Sequence, residues 1–357
     1  MYKSIQGCRA VAALLVVLYH LGVALSSPKY FGASVLRLPF VWGDAGVEFF
    51  FVLSGFIITW AHFCEIGRPS SLPTYVRKRF TRIFPSYWIV FGIVFLTVAA
   101  SSASRSTLPL DLSTLVKSLA LLPQDKNLVG GTGSPVLIVA WSLQYEVCFY
   151  VLFAMFIVNR FVGIALTIIL LLNCARCHEH LCRFPQSFFA DNWFFLFGLG
   201  AIVTFAVKRT TPVRHALLVA LMAGGAFLSY GAIEAVFGTD FFPVDRRLVY
   251  GAVSAVLIFS LICAESSGEL RVRSRWLSLL GDSSYALYLI HYPLISLLCK
   301  FLVLIGLSGS VGAYIAYPSI LLITVLSAIT FHLFVEKPIL ALLAPNKTSN
   351  AVPALLS

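Results

Sequence analysis

The chain has 357 residues, of which 59% are apolar and 11% charged. A soluble domain carries about 25% charged residues, so this composition excludes a soluble globular protein and points to a polytopic membrane protein. The net charge of +11 would suit nucleic acid in a soluble chain. Here it reflects lysines and arginines retained in cytosolic loops, and no nucleic-acid partner is expected.

Apolar runs predict about ten spans, at 5–25, 45–64, 84–101, 136–158, 160–175, 190–207, 215–237, 247–264, 284–304 and 311–335. Runs of this length suit helices that cross a bilayer. The first has the outline of a secretory signal, with Lys3 before an apolar core at 10–19. Arg9 interrupts that core and no small-x-small cleavage site follows, so it reads as a retained span. An even number of spans puts both ends on one side. With the N-terminus in the cytosol, the inner segments hold 15 Lys and Arg against 9 outside, the bias expected of cytosolic loops. The expected fold is an all-α polytopic integral membrane protein, a bundle of about ten transmembrane helices with both termini cytoplasmic. Residues 1–338 form one transmembrane domain and 339–357 a short cytoplasmic tail. The longest external segment, 102–135, has a turn at GGTGSP and an amphipathic stretch at 112–122, which suits the membrane surface.

Polar side chains inside spans are costly and mark functional candidates. Arg9 and His20 lie eleven residues apart in the first span. Eleven helical steps return to within roughly 20° of one face, about 16 Å further along the axis. Set against this, Arg9 can snorkel to the interface and His20 can sit in a satisfied hydrogen bond. Asp44 and Glu48 stand at the outer end of the second span and share a face if the helix covers Asp44. Glu146 falls near the middle of the fourth span, in WSLQYEVCFY, and His291 in the ninth, in SYALYLIHYPL. Groups spread through the membrane thickness suggest a polar passage; unrelated helix–helix hydrogen bonds are the alternative. After the second span comes YVRKRFTRIFPSYW, where Arg79 and Arg82 are neighbours if the segment is helical, with Arg77 and Lys78 beside them. Guanidinium groups bind phosphate oxygens in forked pairs, so this cluster fits a polyphosphate ligand or anionic lipid. Ser54-Gly55 permits close approach of another helix or a ligand.

Residues 174–182 read CARCHEHLC. CARCH has the pattern of a c-type haem attachment site. Cys174, Cys177, His178, His180 and Cys182 are potential zinc ligands. A disulfide or free thiols at the membrane edge fits the short external segment better, and no metal is expected.

The chain resembles the acyltransferase family 3 membrane proteins, which acylate cell-envelope and exported glycans. The resemblance covers nearly the whole chain. It rests on RAVAALLVVLYH (9–20), with its Arg-x10-His spacing, GVEFFFVLSGFII (46–58), RKRFTRIFPSYW (77–88), WSLQYEVCFY (141–150), SYALYLIHYPL (284–294) and VEKP (335–338). The similarity is greatest to stand-alone exopolysaccharide acetyltransferases. It implies that an acyl group, commonly acetyl, passes from cytosolic acyl-CoA to a hydroxyl of a glycan or lipid-linked sugar. It implies a multi-pass protein of the bacterial inner membrane, in contact with lipid and associated with polysaccharide biosynthesis machinery. Acyl-CoA would be the donor substrate, with no permanently bound cofactor. By resemblance Arg9 and His20 are the functional pair, and Arg79 and Arg82 belong to an arginine motif tied to CoA; Arg77 and His291 are grouped with them as donor-binding candidates. Glu48 stands where many relatives have Asp, and Cys8 where Leu is usual.

The chemistry is compatible. Arginines at the cytosolic mouth can hold the polyphosphate head while the pantetheine arm threads toward His20. A histidine can deprotonate the attacking hydroxyl or take the acyl group itself. Glu48, Asp44 or Glu146 is the expected partner that orients the imidazole. The alternative is a transporter or flippase of a glycan or small solute that uses the ionisable groups as a proton path. A haem-bearing electron carrier is a third reading.

Overall fold

Inside a bilayer a chain must satisfy its backbone internally, and long apolar runs do so as helices. A computed structural model describes residues 2–101, 108–109, 111–177, 182–210, 213–239 and 241–343. In chain order its helices are α1 (Lys3–Ser26), α2 (Gly46–His62), α3 (Leu72–Ala100), α4 (Leu112–Leu119), α5 (Lys126–Val129), α6 (Trp141–Val158), α7 (Arg160–Cys177), α8 (Gln186–Phe189), α9 (Trp193–Arg209), α10 (Ala216–Phe237), α11 (Arg246–Ser266), α12 (Arg275–Asp282), α13 (Ser284–Leu304), α14 (Gly309–Phe331) and α15 (Lys337–Leu343). Ten helical segments among the described residues are long and apolar enough to span a membrane. The protein is an all-helical, multi-pass membrane protein.

Nine of the ten spans fall close to their expected positions. The third does not: α3 begins at Leu72, twelve residues before the apolar run. The basic stretch 77–82 is therefore the opening of a spanning helix and not a loop. Pro73 occupies its first turn, where a missing N–H costs nothing, and the arginines and lysine that follow are good helix formers. One continuous helix thus carries Arg79 and Arg82 on one face.

Two features fix the helices that matter for the site. The start of α1 is tied to the end of α11: the Lys3 and Ser4 amides and the Ser4 hydroxyl all donate to the Glu265 carboxylate, at 2.9, 2.8 and 2.5 Å. A carboxylate there also complements the positive end of the helix dipole. Elsewhere α2 and α9 cross in close backbone contact. A Cβ at Gly55 would land on the Phe197 carbonyl, and one at Gly200 on the Val52 carbonyl, so the close approach expected at Ser54-Gly55 is made by α9. Aromatic rings close the core around this crossing, with Phe149 stacked on Phe197 at 4.3 Å between centroids.

The amphipathic stretch forms α4, whose first turn is capped by Asp111 accepting from the Thr114 amide at 2.7 Å. Hydrogen bonds from Thr114 hold the Asp111 carboxyl below the usual range. The helix docks on α3 through Tyr87 and Trp88, which donate to the Ser118 and Leu119 carbonyls.

The end of the bundle where α1 begins is the near face, and the opposite end is the far face. Cys177 and Cys182 form a disulfide at the far end of α7. Cys174 is a free thiol that donates to the Ala190 carbonyl at 3.1 Å. The disulfide occupies one of the two sulfurs that haem attachment requires; His178 and His180 lie outside the described residues. The chain is helical to Leu343, and the remainder of the 339–357 segment lies outside the described residues.

Candidate active site

A cavity of about 500 Å³ opens between α2, α3, α6 and α13. Along α2 it is lined from Ile58, toward the near face, to Val47, a depth of about 16 Å at 1.5 Å per residue. Arg9, Arg79, Arg82, His332 and Lys337 line its near end, with Asp282 beside them. Ser54, Glu146 and Tyr150 line the middle, and Phe50, Ser142 and Tyr288 the inner end.

Each arginine at the mouth is held by a specific partner. Arg9 donates to Gln6 Oε1 at 3.2 Å and to the Ser284 hydroxyl at 2.9 Å. Arg79 donates to His62 Nε2 at 2.7 Å, and His62 Nδ1 in turn donates to Glu65 at 2.7 Å. Its guanidinium lies over the rings of Tyr75 and Tyr150. Arg82 donates to Glu336 Oε1 at 2.9 Å and lies over Tyr285. The other oxygen of Glu336 accepts from His332 Nδ1 at 2.7 Å, and the Glu336 side chain is fully buried. This last arrangement depends on a π-helical turn at His332–Glu336, closed by the Lys337 amide donating to the His332 carbonyl. Pro338 cannot donate a helical hydrogen bond, and a local i→i+5 turn accommodates such breaks. Arg77 is apart from the cavity: it is exposed and donates to the Leu343 carbonyl.

The second polar centre lies deeper. His20 Nδ1 is 2.9 Å from the Val16 carbonyl and 3.2 Å from His291 Nε2. Tyr19 and Tyr292 present their rings edge-on to the His20 ring, at 5.0 and 5.4 Å. His291 is fully buried. It stands one turn along α13 from Tyr288, whose ring bounds the inner end of the cavity. His291, grouped with the arginines from sequence, is thus beside His20.

None of the three carboxylates expected to orient His20 is hydrogen-bonded to it among the described residues. Asp44 precedes α2 in a 3-10 turn, so it does not share the helical face of Glu48. It accepts a forked pair from Arg246, at 2.8 and 3.0 Å. Glu146 accepts from Ser54 and Tyr150, at 3.2 and 2.7 Å, in the middle of the cavity. Glu48 is 2% exposed and its Oε2 has no hydrogen-bond partner among the described residues.

Asp44 belongs to a far-face network that the sequence did not reveal. Arg246 also donates to Glu234, at 2.9 and 3.0 Å, and Tyr250 donates to the same carboxylate at 2.8 Å. Arg247 pairs with Asp191 and Asp245. Burial disfavours the charge on Asp245, but hydrogen bonds from Arg247 and Asn192 outweigh it and hold the carboxyl below its usual range. The two arginines had been counted only as loop charges. Asp245 is the N-cap of α11, accepting from the Arg247 amide, and an Asp just before a long apolar run is the signal in the sequence that could have placed them at a helix start. Among the described residues no group of three or more His, Cys, Asp or Glu is arranged to hold a metal ion.

An arginine-lined cavity mouth and a histidine pair beside the inner end of the cavity are thus set within ten membrane-length helices. Residues 2–333 match the acyltransferase domain family, and the chain belongs to it; it is a membrane acyltransferase. Among its relatives, exopolysaccharide production protein ExoZ of Rhizobium meliloti is 28% identical over 314 residues, which cover 84% of this chain and 90% of ExoZ. Acyltransferase MdmB of Streptomyces mycarofaciens is 26% identical, over 82% of this chain and 78% of its own length. O-acetyltransferase OatA of Staphylococcus aureus is 24% identical over 94% of this chain, which spans 57% of OatA. No solved structure matches the chain.

Proposed function

We propose that the protein moves an acetyl group from cytosolic acyl-CoA to a hydroxyl of an exported or cell-envelope glycan, in a bacterial inner membrane. The observation that carries this reading is the cavity that runs from Arg9, Arg79 and Arg82 to Tyr288, one helical turn from His291 and His20. The guanidinium groups suit the phosphates of CoA, and a cavity about 16 Å deep along α2 suits its pantetheine arm. The names of ExoZ and OatA, which refer to exopolysaccharide and O-acetyl transfer, support a glycan acceptor.

Orientation follows from two features. Lysines and arginines are concentrated on near-face segments, as on cytosolic loops. The Cys177–Cys182 disulfide is at the far face, and disulfides persist in oxidising compartments. The near face is then cytosolic and the donor enters there.

In the transfer step the His20 imidazole accepts the proton of the acceptor hydroxyl. The oxygen bonds to the thioester carbonyl carbon, the carbon–sulfur bond breaks, and CoA leaves as the thiol with the proton returned from His20. Aromatic rings and a buried His291 around His20 limit water, which would compete as acceptor.

The test is purified protein in lipid nanodiscs with radiolabelled acetyl-CoA and glycan extracted from cells lacking the gene. Wild type should label the glycan and release free CoA thiol, and folded His20→Ala should do neither. Glycan labelling by His20→Ala overturns the role given to His20, and glycan movement with no thioester consumed overturns the reading in favour of a transporter.

A further inference from the structure

The contacts of His20 and the buried His291 determine which nitrogen of His20 is free to react. His291 Nδ1 faces two backbone carbonyls, Tyr288 O at 2.8 Å and Leu287 O at 3.1 Å. Carbonyl oxygens only accept, so that nitrogen carries hydrogen. A neutral His291 then presents a bare Nε2, an acceptor, to His20 at 3.2 Å. His20 meets it with Nδ1, and the same Nδ1 is 2.9 Å from the Val16 carbonyl. Both neighbours accept, so His20 Nδ1 carries hydrogen and shares it between them. The opposite tautomer would set a lone pair of Nδ1 against two other lone pairs. The neutral imidazole has one proton, so its Nε2 is bare.

We propose that His291 is a positioning residue that holds His20 as its Nδ1–H tautomer, leaving Nε2 as the atom that takes the acceptor proton. This is the part assigned from sequence to Asp44, Glu48 or Glu146. Here it falls to a neutral imidazole on α13, itself locked by the carbonyls of the preceding turn. His20 Nε2 has no hydrogen-bond partner among the described residues, as a base awaiting a hydroxyl requires. A neutral acceptor also differs in kind from a carboxylate. It fixes the tautomer without placing a full negative charge beside the imidazole, in a region where an unpaired charge is costly.

The inference rests on the acyl-transfer reading above, and its test separates the two. His291→Leu removes the acceptor, whereas His291→Gln offers an amide oxygen near the position of Nε2. The donor mouth is untouched in both. In the nanodisc assay, His291→Leu should lower kcat by about 100-fold with KM for acetyl-CoA within about twofold. His291→Gln should recover at least about tenfold of that loss. Two-bond proton–nitrogen spectra of wild type carrying 15N-histidine, with the His20 signals assigned from His20→Ala, should show His20 with bare Nε2. The idea fails if those spectra show the Nε2–H form, if His291→Leu leaves kcat unchanged, or if Leu and Gln cause equal loss. Activity in His20→Ala would instead bring down the role of His20, and wild type that consumes no thioester would bring down the transfer reading itself.

Discussion

Arg9 and His20 stand three turns apart on α1, and both reach the same neighbouring helix. Arg9 bonds Ser284 and His20 meets His291, seven residues further along α13. Their shared face is therefore turned inward to protein and not to lipid. Arg9 gives two nitrogens to two partners at once, a fork that lysine cannot reproduce. Arg9→Lys should raise KM for acetyl-CoA by about tenfold, the equivalent of about 1.4 kcal/mol, with kcat within a few-fold of wild type. Steady-state kinetics with varied donor concentration check this.

Glu336 links Arg82 to His332 inside the π-helical turn, with one oxygen for each. Glu336→Gln places an amide NH2 against one of these donors and leaves it unsatisfied. A lost charge-assisted bond of this kind costs roughly 2 kcal/mol. The variant should unfold at lower temperature and require more donor for half-saturation. A melting curve and a donor titration on the same preparation provide the check, and an unchanged melting temperature would count against the linkage.

The α2–α9 crossing should tolerate no Cβ. At Gly55 and Gly200 the added atom meets backbone carbonyls, which can move only with their helices. Gly55→Ala and Gly200→Ala should both lower the yield of folded protein and its melting temperature. Gly198 lies on the same helix as Gly200 with nothing within 4 Å of its Cβ position. Gly198→Ala should be neutral or slightly stabilising, because alanine is the better helix former. Size-exclusion profiles of the three variants distinguish these outcomes.

Arg246 neutralises both Asp44 and the nearly buried Glu234. Removing one partner of a buried ion pair costs about 3–5 kcal/mol, so Arg246→Met should be strongly destabilised. Adding Asp44→Asn and Glu234→Gln to that background should restore part of the loss. Unfolding in graded SDS measures both steps.

Cys64 is exposed beyond the near-face end of α2. With the other free cysteines replaced, a membrane-impermeant maleimide should label Cys64 only after the membrane is opened. Labelling in intact cells would reverse the orientation.

Much of this architecture was legible in the sequence because lipid imposes one strong rule, that a long apolar run is a helix. The run at 284–304 matched α13 to the residue. The rule fails where a spanning helix begins in charged residues, which is why the start of α3 was missed. The arginines of the mouth were legible from their spacing of three. Their partners were not: His62 and Glu65 close off α2, and His332 and Glu336 lie in a turn whose i,i+4 spacing was visible but whose π geometry was not. Pairings across the bundle, such as Asp44 with Arg246, depend on how helices pack, and no local pattern in the chain encodes that.

The attachment of α1 to Glu265 has a mechanical consequence. Three hydrogen bonds converge on one carboxylate at the very start of the helix. A piston-like slip of α1 by a single residue, about 1.5 Å, would strain all three together, so the helix behaves as a fixed ruler. Arg9 and His20 are two marks on it, and neither can travel without the other. Any opening and closing during turnover then leaves the depths of both marks relative to α11 unchanged.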